Sequence, residues 1–422
     1  MDIKAVVGAG YGDEGKGLMT DYFCRNISGK VLNVKVNGGA QAGHTVCSLD
    51  NNGVYRHWVF SQYGSGTFSG ADTYLLCDFI VNFDRLLEES KRLSSIYGVN
   101  THLYIDKKCR VTLPVDIILN RFVETSRDKN RHGSCGLGIF ETFNRNNKGY
   151  GLTLNDVIEH FLNKNTNSFE DYINNISNEY LTYRTEELKT KSNITISEGE
   201  SKDIVSKFTE ENKQFIDNFV DIIKMQNISF VNSLEELIRN ENYKRIVFEC
   251  SQGLELDQNN KRNWPNLTPS STGLNNIINE IKRNNKLKWI NDIEACFVTR
   301  SYKTKHGAGL FIEQDDTVQQ TFGLYDRTNK PNEFQETLRY GTLNIGRLKN
   351  LIMEEIWNFR HSVKNNITVS ACVTHLDQTN GFLLASSKNI PYKEVISENM
   401  LSTNKYYVSF GEKAQDILDT TL

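Results

Sequence analysis

Ten consecutive residues, Gly8-Ala9-Gly10-Tyr11-Gly12-Asp13-Glu14-Gly15-Lys16-Gly17, bring two acids, a base and a glycine framework together. They follow the apolar run Ile3 to Val7. A strand, a glycine-rich turn and a helix starting near Lys16 would aim several backbone N–H groups and a positive helix end at one point, which is how proteins hold phosphate. The spacing Gly10-x-x-x-x-Gly15-Lys16 satisfies a Walker A pattern, but Gly17 stands where that pattern needs a hydroxyl to carry magnesium. A plain P-loop ATPase therefore ranks low. An anion beside phosphate is unfavourable unless it binds metal or moves a proton, so Asp13 is the candidate for chemistry. The competing reading is a strand-to-helix turn with a solvated acidic tip, and the Asp-Glu-Gly-Lys core weighs against it.

A second cluster, Asn37-Gly38-Gly39-Ala40-Gln41-Ala42-Gly43-His44-Thr45, follows the apolar run Val31 to Val36. Its glycines permit close backbone approach to a ligand, and His44 at the far side would stabilise a leaving phosphate. A lone histidine is more often structural, but this glycine framework favours catalysis.

Both clusters need strands to carry them. Runs rich in β-branched residues recur at Ile3 to Val7, Val31 to Val36, Arg245 to Phe248, Ala295 to Val298 and Thr368 to Val373, separated by segments with helical spacing. That alternation predicts an α/β fold: a mostly parallel central sheet with helices on both faces and a P-loop-like phosphate loop, in one large domain over 1–422. Loops at the carboxyl ends of such strands are where these sheets bind ligands. In the first helix, Leu18, Met19, Tyr22 and Phe23 form one stripe while Lys16, Thr20 and Asp21 fall elsewhere. Further helices are predicted at Phe83 to Tyr97, Pro114 to Ser126, Asn212 to Gln226, Leu274 to Asn284 and Gly346 to Arg360. A helical surface excursion is expected around 155–240, because the segment from Leu162 to Ser206 is rich in Asn, Glu and Lys with apolar residues thinly spread.

The 422 residues carry a net charge of −3, which gives no reason to expect nucleic acid or an anionic membrane as partner. Eight scattered cysteines without a C-x-x-C pair suit buried thiols in a reducing compartment, and zinc is not expected. With no basic-then-apolar leader and no long apolar run, an intracellular, cytoplasmic protein is expected.

The two clusters together, Gly12-Asp13-Glu14-Gly15-Lys16-Gly17 and Gly38-Gly39-x-x-Ala42-Gly43-His44-Thr45, resemble the adenylosuccinate synthetase family. More matches follow in family order. Gly133-Ser134-Cys135-Gly136-Leu137-Gly138-Ile139 resembles a Gly-Thr-Thr-Gly-Arg-Gly-Ile loop, and Phe248-Glu249-x-x-Gln252-Gly253 a Phe-Glu-Gly-Ala-Gln-Gly segment. Thr268-Pro269-Ser270-Ser271-Thr272 is similar to Thr-Ser-Ser-Asn-Thr, Tyr302-Lys303-Thr304-Lys305-His306-Gly307-Ala308-Gly309 to Tyr-x-Thr-Arg-Val-Gly-x-Gly, and Thr374-His375-Leu376-Asp377 to Thr-Lys-Leu-Asp.

The resemblance implies a ligase that joins L-aspartate to C6 of a 6-oxopurine nucleoside monophosphate, IMP to adenylosuccinate, driven by GTP. Asp13 would take the N1 proton, O6 would attack the γ-phosphate with His44 stabilising the diphosphate, and aspartate would then displace phosphate at C6. It further implies Mg2+ on Asp13 and the Gly43 carbonyl, with Gly12, Glu14, Gly15, Lys16, Gly17, Gly43, His44 and Thr45 around the triphosphate. Asp377, Ser409 and Gly411 would read its base. Asp13, Gln41, Ser134, Cys135, Gln252 and Thr268 match positions around the purine monophosphate, with Lys148 reaching in from a second subunit of a homodimer. Thr304, Lys305 and Arg339 would clamp the amino acid.

Departures gather at the substrate contacts. Ala40-Gln41 replaces a His-Asn or Asn-Asn pair, Leu137 an arginine, His375 a lysine, and an arginine-rich loop shrinks to the single Arg339. Losing bidentate donors is not conservative where carboxylates or phosphates are gripped. The alternative acceptor is therefore (d)GMP, with ATP or GTP, as in the viral 2-aminoadenylosuccinate synthase branch that leads to diaminopurine. A non-catalytic purine-nucleotide-binding regulator is the reading from another class.

Overall fold

The computed structural model describes residues 1–420 except 51, 129–130, 132, 164–165 and 329–336. Its frame is a ten-stranded sheet. In chain order the strands are β1 (Asp2–Gly8), β2 (Lys30–Lys35), β3 (Asp72–Leu75), β4 (Leu103–Asp106), β5 (Ile228–Val231), β6 (Tyr243–Gly253), β7 (Asp292–Arg300), β8 (Asn366–Thr374), β9 (Lys405–Ser409) and β10 (Ile417–Asp419). Across the sheet they run β5-β4-β3-β2-β6-β1-β7-β8-β9-β10. Every neighbouring pair is parallel except β9 and β10. The five strands predicted from apolar runs are β1, β2, β6, β7 and β8, the middle of the sheet. Strands covered by helices on both faces are near-continuously apolar, which is why these were legible. The four-residue β3, β4 and β5 and the antiparallel β10 lie toward the edges and carry no comparable run.

The parallel arrangement brings the ends of β1, β2, β6, β7, β8 and β9 to one edge. The two glycine clusters, the 303–309 segment, Asp377 and Gly411 follow those ends, and Gln252 is the last residue but one of β6.

Helices cover the sheet. The first, α1 (Lys16–Cys24), packs against β1, β6 and a hairpin formed by His44–Leu49 and Tyr55–Phe60. The amphipathic reading of this helix is corrected. Lys16, Thr20 and Asp21 are buried along with Leu18, Met19 and Phe23, while Tyr22 is the half-buried residue. A helix held between sheet and hairpin has no solvent face to present.

The next two, α2 (Phe83–Tyr97) and α3 (Pro114–Ser126), match the predicted bounds. Asn82 caps α2 by accepting from the Arg85 N–H, Gly98 closes it in the left-handed region, and Pro114 opens α3. Between 139 and 223 follow α4 (Ile139–Asn147), α5 (Leu154–Asn163), α6 (Thr166–Ser192) and α7 (Glu198–Ile223), the last begun by a Ser197/Glu200 capping box. The sparse apolar residues of this stretch do more than its composition suggested. Phe169, Ile173 and Tyr180 are fully buried in one cluster with Phe83, Leu119 and Phe215. Phe83 lies 5.1 Å from the Phe215 ring and 5.0 Å from the Phe219 ring, so α6 and α7 form part of a core over α2 and α3. Helices Asn275–Arg283 and Ile345–Ser362 agree with their predicted spans to within two residues.

Candidate functional site

The phosphate loop is built before any ligand arrives. Gly12 and Gly15 hold φ of 118° and 95°, values open to glycine and strained for other residues. Within the loop Glu14 Oε1 accepts from the Gly12 N–H at 2.7 Å, and the Lys16 ammonium donates to Gly12 O at 2.6 Å and to Glu14 Oε2 at 2.9 Å. Outside it, Thr374 Oγ1 at the end of β8 donates to Glu14 O at 2.7 Å, and Arg300 Nε at the end of β7 donates to Asp13 O. Gln252, itself at φ 65°, places Oε1 3.1 Å from where a Cβ on Gly12 would stand. These bonds leave Glu14 engaged inside the loop.

The missing hydroxyl at position 17 has a steric cause. A Cβ on Gly17 would lie 2.7 Å from Thr45 O and 3.1 Å from the His44 carbonyl carbon. The first turn of α1 thus meets the start of the hairpin with no room for a side chain, and the same approach brings His44 to the loop.

His44 is buried, and its Nδ1 is hydrogen-bonded to Glu249 Oε1 on β6. Burial lowers its pKa to about 4, against the opposing pull of Glu249, so the ring is neutral at pH 7. Glu249 also accepts from the Ser65 N–H at 3.1 Å and from the Ser65 hydroxyl. Burial pushes its carboxyl up, but Lys35, its cross-strand partner on β2, together with His44 holds it well below the usual carboxylate range. With Nδ1 fixed, Nε2 remains for a ligand.

Asp13 is raised by burial, against the charges of His306 and Arg300. Its side chain keeps 21% exposure, and His306 Nε2 stands 3.8 Å from its Oδ2. Asp13 and His44 both sense the Lys16 ammonium.

The sequence profile of the adenylosuccinate synthetase family matches residues 5–383. The chain belongs to this family. Its members are ligases that form carbon–nitrogen bonds. The chain is 24% identical to the adenylosuccinate synthetase of Finegoldia magna over 99% of its own length and 98% of that protein's. It is 27% identical to that of Lactobacillus acidophilus over 74% of this chain and 65% of the relative. Among solved structures, fully ligated adenylosuccinate synthetase from Plasmodium falciparum superposes with a TM-score of 0.65 at 18% identity, covering 100% of both chains. The succinoaminodeoxyadenylate synthetase of cyanophage S-2L, bound to dGMP and dATP, gives 0.62 at 15% identity over 99% of this chain and 95% of that one.

Around this centre the adenylosuccinate synthetase-like loops are less complete. Ser134 exchanges hydrogen bonds with the Asn120 side chain, at 3.1 Å for the one Asn120 donates. Cys135 follows it in the loop before α4, its thiol pushed up to about 11 by burial. Lys148, after α4, lies 3.8 Å from Glu187 and over the Tyr183 ring. The Thr268 N–H donates to Leu256 O at 3.0 Å. Thr304 and Lys305 sit on a short strand paired with Arg339–Gly341. Lys305 donates to Ala308 O, and burial, helped by Arg339, lowers its pKa to about 8. Arg339 donates to Gly307 O at 2.8 Å and Gly309 O at 3.0 Å. The 332–336 part of its loop lies outside the described residues. Asp377 is exposed beyond β8; the Leu376 N–H bonds Ser409 O at 3.2 Å, and Ser409 Oγ donates to Gly411 O at 2.8 Å.

Buried polar atoms without partners point to a ligand. Among the described residues these include Lys35 Nζ, Gln41 Oε1, Ser251 Oγ and His306 Nδ1, all at or just beyond the ends of β2, β6 and β7. Three of these positions, Lys35, Ser251 and His306, and the supporting Glu249 and Arg300, carried no assigned role in the sequence. Only adjacency of non-consecutive strands reveals them. No group of three or more His, Cys, Asp or Glu able to hold a metal occurs among the described residues. Magnesium does not require one, since it is held by one or two carboxylates plus substrate phosphates. No described helix is long and apolar enough to cross a membrane.

Proposed function

We propose that this chain condenses L-aspartate with C6 of a 6-oxopurine nucleoside monophosphate, IMP in the first reading, driven by hydrolysis of GTP. The observation that carries this is the pairing, about one helix N-terminus, of a half-buried carboxylate on Asp13 with a neutral imidazole on His44 fixed by Glu249.

Asp13 removes the N1 proton, and charge builds on O6. O6 attacks the γ-phosphorus and the bond to the β-phosphate oxygen breaks. His44, its Nδ1–H held by Glu249, turns Nε2 to the departing diphosphate and stabilises that anion by taking up a proton at Nε2 as the phosphates arrive, and Lys16 is a point charge on the phosphates. The amine of aspartate then attacks C6 and inorganic phosphate leaves. Magnesium on Asp13 and the Gly43 carbonyl supplies charge neutralisation when bound. Gly12, Glu14, Gly15, Gly17 and Thr45 shape the triphosphate cradle. Gln41, Ser134, Cys135, Gln252 and Thr268 hold the monophosphate nucleotide, with Lys148 acting across a homodimer. Thr304, Lys305 and Arg339 take the amino acid's carboxylates, and Asp377 with Ser409 and Gly411 the donor's base. The reading carries a cytoplasmic location with it.

A second acceptor, (d)GMP with ATP or GTP as donor, is favoured by one observation: a polar His306 beside Asp13. The test is incubation of the full-length protein with aspartate, Mg2+, GTP or ATP, and IMP, GMP or dGMP. Equal amounts of phosphate and succinyl-nucleotide support ligation. Nucleotide binding with no phosphate released from any combination would leave a regulator instead.

A further inference from the structure

The loop after β7 carries a group that the reaction as described does not use. His306 stands where the family pattern has valine, its Nε2 is 3.8 Å from Asp13 Oδ2, and its Nδ1 is buried without a partner. The strand order fixes which side of Asp13 it occupies. Asp13 follows β1; His44 follows β2, on the β6 side of β1, whereas His306 follows β7, the neighbour on the opposite side.

A purine seated with N1 on Asp13 has two atoms flanking N1. One is C6, whose oxygen must face the triphosphate and hence His44. The other is C2, which then faces the β7 side and His306. With Nε2–H turned to the Asp13 carboxylate, Nδ1 is an acceptor in need of a donor. Inosine has only C–H at C2; guanine has an exocyclic amine there. A valine offers neither donor nor acceptor at this place.

We propose that His306 is a specificity-determining residue of the purine pocket, accepting a hydrogen bond from the 2-amino group and so selecting a 2-amino-6-oxopurine nucleotide over inosine monophosphate. This rests on the ligase reading and replaces its first acceptor, IMP, with the second, a guanine nucleotide. A site built to hydrogen-bond a substrate group discriminates against the analogue lacking it, because its own polar atom is otherwise left unpaired.

The test is titration calorimetry of the full-length protein with GMP and with IMP, beside turnover of each with aspartate and GTP or ATP. Wild type binds GMP about tenfold more tightly than IMP, the worth of one neutral hydrogen bond. In His306→Val and His306→Leu the two affinities converge to within about twofold, through loss of GMP affinity. His306→Asn, which keeps an acceptor, retains part of the gap, a rescue that a packing role would not produce. Two separate variants without an acceptor guard against one that does not fold. Equal affinities in wild type, or a gap that survives both apolar variants, overturns the assignment while leaving the ligase intact if phosphate is still released. Failure of wild type to bind either nucleotide overturns the assignment and the ligase reading together.

Discussion

The ends of β1, β2 and β6 and the loops after β7, β8 and β9 share one edge of the sheet, yet they are built differently. On the first side, charges are tied to each other: Lys16 to Glu14 inside the phosphate loop, and His44 to Glu249 across elements with Ser65 behind it. On the second, cations hold their own loops, as Arg339 and Lys305 do on the carbonyls of residues 307–309. The contrast teaches that the machinery for charge movement is preorganised, whereas the grip on the substrate requires side chains to exchange backbone partners for ligand. Substitutions on the first side should therefore change kcat, and those on the second KM.

The largest effect is expected at Asp13. Asp13→Asn keeps the shape and removes the base, so kcat falls about 10³-fold, within the range for general acid–base catalysis. Triphosphate binding, followed by fluorescence of a labelled GTP, remains within a few fold. A variant retaining a tenth of wild-type kcat would dissolve the proposed distinction, because chemistry would not depend on this loop.

Gly17 probes the same side through packing. Gly17→Ser supplies the hydroxyl of a standard P-loop but puts Cβ 2.7 Å from Thr45 O. Since that obstacle is backbone, relief needs α1 and the hairpin to separate, at about 2 kcal/mol for overpacking. Urea denaturation should show the loss, with no gain in magnesium affinity. Unchanged stability would mean the two elements are looser than their contact implies.

How much of this was visible in the sequence follows the same divide. The phosphate loop, His44 and the central strands were legible because each is a local signal: glycine spacing, or a run of β-branched residues. Glu249, Arg300 and His306 act through neighbours 205, 287 and about as many positions away, so their roles depend on strand order. Tyr22 misled for the opposite reason. Its helix has the periodicity of a surface element, yet Lys16, Thr20 and Asp21 are buried, Lys16 bonded to Gly12 and Glu14 and Asp21 to Ser69 and Arg25. The rim residues were recognisable by motif, but their present bonds to loop carbonyls could not be read from it.

Acidification gives a third, slightly smaller effect. His44 has its pKa lowered to about 4 in the fold against an ordinary 6.5. Below pH 6.5 the unfolded chain takes up a proton that the folded state refuses, so stability falls until the pH reaches the folded value. Between pH 7 and pH 5 this costs about 2 kcal/mol. Asp13, raised by burial, works in the opposite sense, as do Glu280 and Glu355, each raised to about 7. The quantity to measure is therefore the difference between wild type and His44→Asn, in which those carboxyls largely cancel. Parallel stability–pH curves for the two proteins would show that His44 is not buried as neutral imidazole.

The smallest effect is expected on the recognition side, and it tests the contrast from its weaker end. Arg339 lies over the Phe311 ring and donates to Gly307 O and Gly309 O. To hold a carboxylate it must give up these bonds, so the net gain from the ligand is a salt bridge reduced by two guanidinium–carbonyl hydrogen bonds. Arg339→Ala should raise the KM for aspartate about tenfold or less, with kcat within about twofold, since an interaction made equally in ground and transition states leaves kcat alone. A matching fall in kcat would instead place Arg339 in the reacting assembly, and the division between a rigid centre and a yielding rim would have to be redrawn around it.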